Sequence, residues 1–406
     1  MANLRYGEHK TIELDVADST TAALLGVPRG RPVDDVSAAV ARAVDEPLDY
    51  PPLRRATTPG DRVVIALAPG LPQDAQVAAV VVEKLVEAGV HPDGISVLLA
   101  EDGRRPAGAD PRRMMDPAVR EHIGLDVHDP DNRADLAYLA ASESGRPILI
   151  SRTLHDADLV LPVGGVLHTA VAGYFGIHSG IFPTFADSDT LSRFRSLGSL
   201  ARSGSYKQAL VDEVDEAAWL LGIHFTIQLL PADGFGVLEV LAGQCEAVRR
   251  RAHRRYEAVW RQPNHVPQTD LVVAGLAGAA GTQTWQNVGR ALENAGRLVS
   301  DGGAIAVCCE LADAPGPGVQ CVARAESHRA GLQEIRQRRP VDALPAAQLA
   351  RALDRCTVYL LSRLEPEVVE DLDMVPIGSP AELARLTRQY GKYTVLANAS
   401  CALLDS

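Results

Sequence analysis

Residues 62–100 read RVVIALAPGLPQDAQVAAVVVEKLVEAGVHPDGISVLLA. The run from Arg62 to Ala68 is β-branched and apolar, sits between turn signals, and predicts a buried strand. From Ala75 to Ala88 apolar residues recur at helical spacing, and Gly89 ends the pattern. Ile95 to Ala100 is a second apolar strand. Two strands joined through a helix of that length form a βαβ unit, because parallel pairing requires a crossover of a dozen residues or more.

The theme recurs outward from this stretch. DADLVLPVGG (Asp156 to Gly165) is a strand entering a glycine turn. TDLVVAGLAG (Thr269 to Gly278) opens a fresh block, followed by the helix Gln286 to Val299, the turn SDGG and the strand Ala304 to Leu311. A helix from Pro380 to Tyr390 and the strand Tyr393 to Asn398 close the chain. Before Arg62 lie an edge strand (Thr11 to Val16) and a helix (Val36 to Ala43). The repeats predict two α/β domains with mostly parallel sheets, residues 1–260 and 261–406, with a cleft between them. In such sheets ligands collect at the carboxyl ends of strands. The loops after Ala68, Ala100, Gly165 and Gly275 are therefore where chemistry is expected.

At 406 residues the chain is long for one core, and 46% hydrophobic with 23% charged residues is the balance of a soluble globular protein. No apolar run approaches the ~18 residues of a membrane span. The N-terminus has no apolar segment behind its charges, so no secretory signal is visible, and the cytoplasm is the expected compartment. A net charge of −12 argues against nucleic acid as a partner. The basic run RRRAHRR (Arg249 to Arg255) reads as a solvated helix face. The six cysteines show neither a CxxC pair nor zinc spacing.

Residues 164–185, GGVLHTAVAGYFGIHSGIFPTF, concentrate glycine after a strand. Such a loop brings backbone N–H groups close to a ligand, although no GxGxxG or Walker A spacing is present.

Several segments together resemble the lactate racemase family, the nickel-pincer-nucleotide hydroxyacid racemases and epimerases. They are LRYGEHKTIELDV (4–16), PPLRRATTPGDRVVIAL (51–67), DADLVLPVGGVLHTAVAGYFG (156–176) with IFPT (181–184), HFTIQLLPADGFGVLEVLAG (224–243), TWQNVGRALENAGRLVSDGGAIAVCCEL (284–311) and AELARLTRQYGKYTVLAN (381–398). The resemblance implies two α/β domains with the active site between them.

It also implies particular residues, and here the chain departs from the pattern. The lysine that holds the family's cofactor through a thioamide falls on Ser179 counted back from Pro183, or on His178 counted from the loop histidine. The nickel-ligating histidine becomes Arg195. The proton-transfer histidine of GTHRP becomes Arg104, in EDGRRP. The Asp and Arg of the DxTRP loop fall on Ala68 and Leu71. The second acid/base histidine is kept as His168. The QxxK motif reads Gln286 and Gly289, with Arg290 one place beyond. An arginine is neither a proton acceptor nor a nickel ligand, and a serine does not replace a lysine amine.

Three readings stand. In the first, a divergent hydroxyacid racemase or epimerase holds the nickel-pincer nucleotide non-covalently. Gly173, Gly176, Ser179, Gly180 and Arg195 would contact it, with His178 as nickel ligand and catalytic group, and His168 and Arg104 as further catalytic groups. In the second, a different enzyme uses Arg104, Arg105, Arg193 and Arg195 as an anion clamp beside Asp187 and Asp189. In the third, a protein that has lost catalysis binds a small anion or nucleotide. Trp285, Gln286 and Arg290 would meet substrate from the far domain. The expected partner is a small-molecule carboxylate or nucleotide, with neither nucleic acid nor membrane.

Overall fold

The computed structural model describes residues 2–14, 22–100, 110–168, 171–196, 204–234, 236–263, 266–390 and 392–404. Its strands are, in chain order, β1 (Ala2–Tyr6), β2 (Lys10–Leu14), β3 (Ala22–Leu25), β4 (Val63–Leu67), β5 (Ile95–Ala100), β6 (Gly124–His128), β7 (Leu136–Ala141), β8 (Pro147–Ser151), β9 (Leu159–Gly165), β10 (Phe225–Pro231) and β11 (Val237–Gln244). The second half adds β12 (Thr269–Gly275), β13 (Val299–Cys308), β14 (Thr357–Leu361), β15 (Val375–Pro376) and β16 (Tyr393–Leu396).

Two six-stranded sheets result. The first has the order β11-β10-β9-β4-β5-β6 and is parallel except for β11, and the second, β15-β14-β13-β12-β16-β3, is parallel throughout. The chain is α/β, as its sequence predicts. The opening stretch folds as read: β4, the helix Asp74–Glu87, and β5.

Continuous apolar strands arise here because both faces of each sheet are covered. Val63, Ile65 and Leu67 pack with Val77, Val81 and Leu85 of the crossover helix. On the opposite face, Val64 and Ala66 pack with Phe175, Phe182 and Phe194 and with Leu210 and Val214. In the second sheet Val272, Ala274, Ile305 and Val307 meet the helix Trp285–Leu298, while Leu271, Val273, Ala304 and Ala306 meet the β1–β2 hairpin and the helix Pro380–Gln389.

That last contact corrects the assignment of the first residues to the N-terminal domain. β3 pairs with β16, from Ala22↔Tyr393 to Leu25↔Leu396, and the β1–β2 hairpin lies on the same sheet. Periodicity fixes which face of a strand is buried, not which sheet edge it joins. The basic run does form part of a helix, Cys245–Trp260, where Arg249, Arg251 and Arg255 pair with Glu246 and Glu239 on the surface. Among the described residues no helix is long and apolar enough to cross a membrane.

Candidate functional site

Each sheet reverses its strand order once. After β4 the chain steps to β5 and β6, then returns to place β9 on the other side of β4; after β12 it steps to β13, β14 and β15, then returns to place β16 beside β12. Loops leaving adjacent strands in opposite directions open a crevice at each reversal. Both crevices face one cavity of about 710 Å³. Its walls are the loops after β4 (Ala68 to Pro72), β9 (Val166, Leu167 and the glycine loop), β12 (Ala277 to Gln286) and β16 (Asn398 to Cys401). A cavity of that size suits a small-molecule or cofactor ligand.

The glycine loop crosses to the far domain. Gly173 has φ +76°, and a Cβ there would stand 2.9 Å from Gln286 Nε2 and 3.1 Å from Leu344 Cδ2. Only glycine allows both the backbone angle and the approach. Arg290 closes the same contact: its Nε donates to the Ala172 carbonyl at 3.0 Å and its Nη1 to Asn287 Oδ1 at 3.1 Å. Burial lowers the Arg290 pKa, but a guanidinium remains charged. The helix carrying it starts at Trp285, capped by the Thr284 hydroxyl on Asn287 N–H, and its first turn also lines the cavity. A helix N-terminus and an arginine together favour an anion. Arg195 lines the cavity from the near domain.

Gln228 was not among the residues picked from the sequence. It lies on β10, is 1% exposed and lines the cavity; its Nε2 donates to Thr226 Oγ1 at 2.9 Å, while its Oε1 has no donor among the described residues. The signal was available, since a glutamine within the apolar run FTIQLL is a buried polar group in need of a partner.

The structure brings Gly173, Ser179, Gly180, Arg195, Trp285, Gln286 and Arg290 together around the cavity. Trp285 is mostly core, 4% exposed, with Nε1 donating to the Asp313 carbonyl at 3.0 Å. Gly176 (φ +94°) lies behind the lining and turns the chain into Ile177–Gly180. Arg104 and Arg105 fall outside the described residues.

Neither loop histidine is in the lining. His178 is packed beneath the loop, its Nε2 4.0 Å from Asp215 Oδ1 on the helix Gly204–Leu220, its Nδ1 buried without a hydrogen bond. Burial, and then the charge of Arg249, pull its pKa down to about 4. His168 turns to the helix Cys245–Trp260, with Nε2 3.4 Å from Glu257 Oε1 and its ring 4.6 Å from that of His253. The expectation that both histidines reach one ligand in the cavity therefore requires correction: they face different partners. Asp187 caps the helix Ser188–Phe194 and Arg193 pairs with Glu213, so both side chains have partners within the protein.

The lactate racemase N-terminal domain family matches residues 6–205, about half of the chain. The chain belongs to the lactate racemase family. Two solved structures share the fold. The lactate racemase apoprotein from Thermoanaerobacterium thermosaccharolyticum is 17% identical over 100% of both chains, with a TM-score of 0.76. A Thermotoga maritima protein is 11% identical over 91% of this chain and 97% of its own, with a TM-score of 0.64. At these identities the likeness speaks for the fold. No curated protein matches the chain at a significant level.

Within this lactate racemase fold the residues present do not fit a lysine-anchored nickel-pincer nucleotide. Among the described residues the cavity lining holds no lysine and no histidine. The whole chain has four lysines (Lys10, Lys84, Lys207, Lys392), none in the glycine loop. Arg195 lines the cavity where the resemblance implies a nickel-ligating histidine, and a guanidinium does not ligate nickel.

Proposed function

We propose that this lactate-racemase-like protein binds an anionic small molecule non-covalently in the cavity between its domains, a carboxylate or the phosphate of a nucleotide. The observation that carries the reading is the lining itself: Arg195 from one domain and Arg290 from the other, with neither lysine nor histidine among the described lining residues. The glycine loop and the first turn of the helix Trp285–Leu298 supply backbone N–H groups.

A hydroxyacid racemase is the second reading, favoured by the family match. It needs a proton acceptor; burial keeps the Tyr174 phenol protonated, so among the described lining residues the carboxylates Asp313 and Asp342 are the candidates. Asp342 already accepts the Gly318 and Val319 N–H groups at 2.7 and 3.0 Å.

Calorimetric titration of D-lactate, L-lactate and AMP into the protein separates carboxylate from nucleotide. One of them should bind saturably, and Arg290→Met should weaken it at least about tenfold, the scale of one charge-assisted hydrogen bond. Failure of all three to bind, or equal affinity for Arg290→Met, rejects the proposal. Interconversion of the lactate enantiomers by the purified protein moves the assignment to the racemase.

A further inference from the structure

We infer that His168, His253 and Glu257 form a binding site for a divalent transition-metal ion, Zn²⁺ or an ion of similar preference, outside the cavity described above.

The three residues come from two elements. His253 and Glu257 are four apart on the helix Cys245–Trp260 and so share one face. His168 reaches that face from the segment after β9. One donor atom from each lies within 4.8 Å of the others. Both imidazole Nε2 atoms converge on a single carboxylate oxygen, His168 at 3.4 Å and His253 at 3.9 Å from Glu257 Oε1.

Those separations are close to what an ion requires. Metal–ligand bonds of about 2.0–2.2 Å in tetrahedral geometry put neighbouring donors about 3.3–3.6 Å apart. The first pair is already there, and the second needs a shift of a few tenths of an ångström by a half-exposed side chain. Two imidazoles and one carboxylate suit a borderline ion such as Zn²⁺, and Mg²⁺ or Ca²⁺ would prefer an all-oxygen set. Three protein ligands leave a fourth position for water or an incoming anion.

Arg261 competes for the carboxylate, donating to Glu257 Oε1 at 2.8 Å. That is the oxygen both imidazoles approach, and its two lone pairs allow it to accept from the guanidinium while facing the ion. His168 follows Leu167, which lines the cavity, whereas His168 itself does not. An ion here would clamp the entry of the glycine loop to the helix Cys245–Trp260. The site therefore stands or falls independently of what the cavity binds.

The test is titration of the full-length, metal-free protein with Co²⁺, read by visible d–d absorption, followed by displacement with Zn²⁺. One equivalent should bind without a thiolate charge-transfer band, and Zn²⁺ should displace it. His253→Ala and Glu257→Gln sit on a surface face and should keep the wild-type circular dichroism, while each weakens binding at least about tenfold. Absence of saturable Co²⁺ binding, a thiolate band, or equal affinity in both variants overturns the inference.

Discussion

His178 is the side chain whose surroundings give the sharpest quantitative expectation. It is 8% exposed, with a pKa pulled from the ordinary 6.5 to about 4. A histidine that is harder to protonate in the folded state lowers stability in acid. Below pH ~6.5 the unfolded chain takes up a proton that the folded chain refuses until about pH 4, so stability falls across that window and levels off below it. Between about pH 7.5 and 4.5 the loss works out at about 2.5 kcal/mol, from 1.36 kcal/mol per pKa unit. His178→Gln keeps a polar side chain of similar size and removes the titration. Urea unfolding at the two pH values isolates the effect, because every other titrating group, including nearby Asp215, is present in both proteins. The variant should lose about 2–3 kcal/mol less than the wild type on acidification, with ligand affinity unchanged. Equal losses in the two proteins would refute the buried, neutral placement. Loss of ligand binding with unchanged acid sensitivity would put the imidazole in the cavity.

Glu310 should show a pH dependence of the same sign in a more acidic window, because its folded-state pKa is also depressed. Burial would raise its pKa, but the Glu8 N–H, Arg363 and Lys10 outweigh it and hold the carboxylate at about 2. Its contribution is present above the ordinary value of 4.5 and fades as pH falls through about 2. Glu310→Gln should therefore cost about 2–3 kcal/mol near neutrality, and the deficit should vanish in strong acid, as followed by urea midpoints. Gly173→Val places a branched side chain at φ +76°, with its Cβ 2.9 Å from Gln286 Nε2. Strain and crowding together should cost at least about 1–3 kcal/mol, weaken ligand binding, and enlarge the radius of gyration seen by small-angle X-ray scattering as the domains are wedged apart.

Most of the architecture was legible because it rests on short-range pattern. The alternation of apolar strand and amphipathic helix from Arg62 to Ala100 is the fold of that segment, and the same logic identified β9, β12, β13 and β16. The loops after Ala68, Gly165 and Gly275 do line the cavity, because reversal of strand order opens the sheets there. The loop after β16 was missed: only the sheet order reveals that β16 lies beside β12. β3 was not recognised as a strand, and its pairing with β16 is likewise visible only in the sheet order. Spacing brought His168 and His178 together on one loop, but a turn at Ile177–Gly180 sends one under the loop while the other meets a helix almost ninety residues later in the chain. Side-chain direction after an irregular turn is not a property of spacing.

The central claim is that the glycine loop of this lactate-racemase-like chain works on a ligand it does not bond covalently. Intact-mass measurement under denaturing conditions, on protein made in a host that builds the nickel-pincer nucleotide, addresses it most directly. The bare polypeptide mass is the expected result, because Ser179 and His178 form no thioamide and no lysine is present in the loop. A covalent adduct mapped to the peptide from Ala172 to Phe185 would contradict the account.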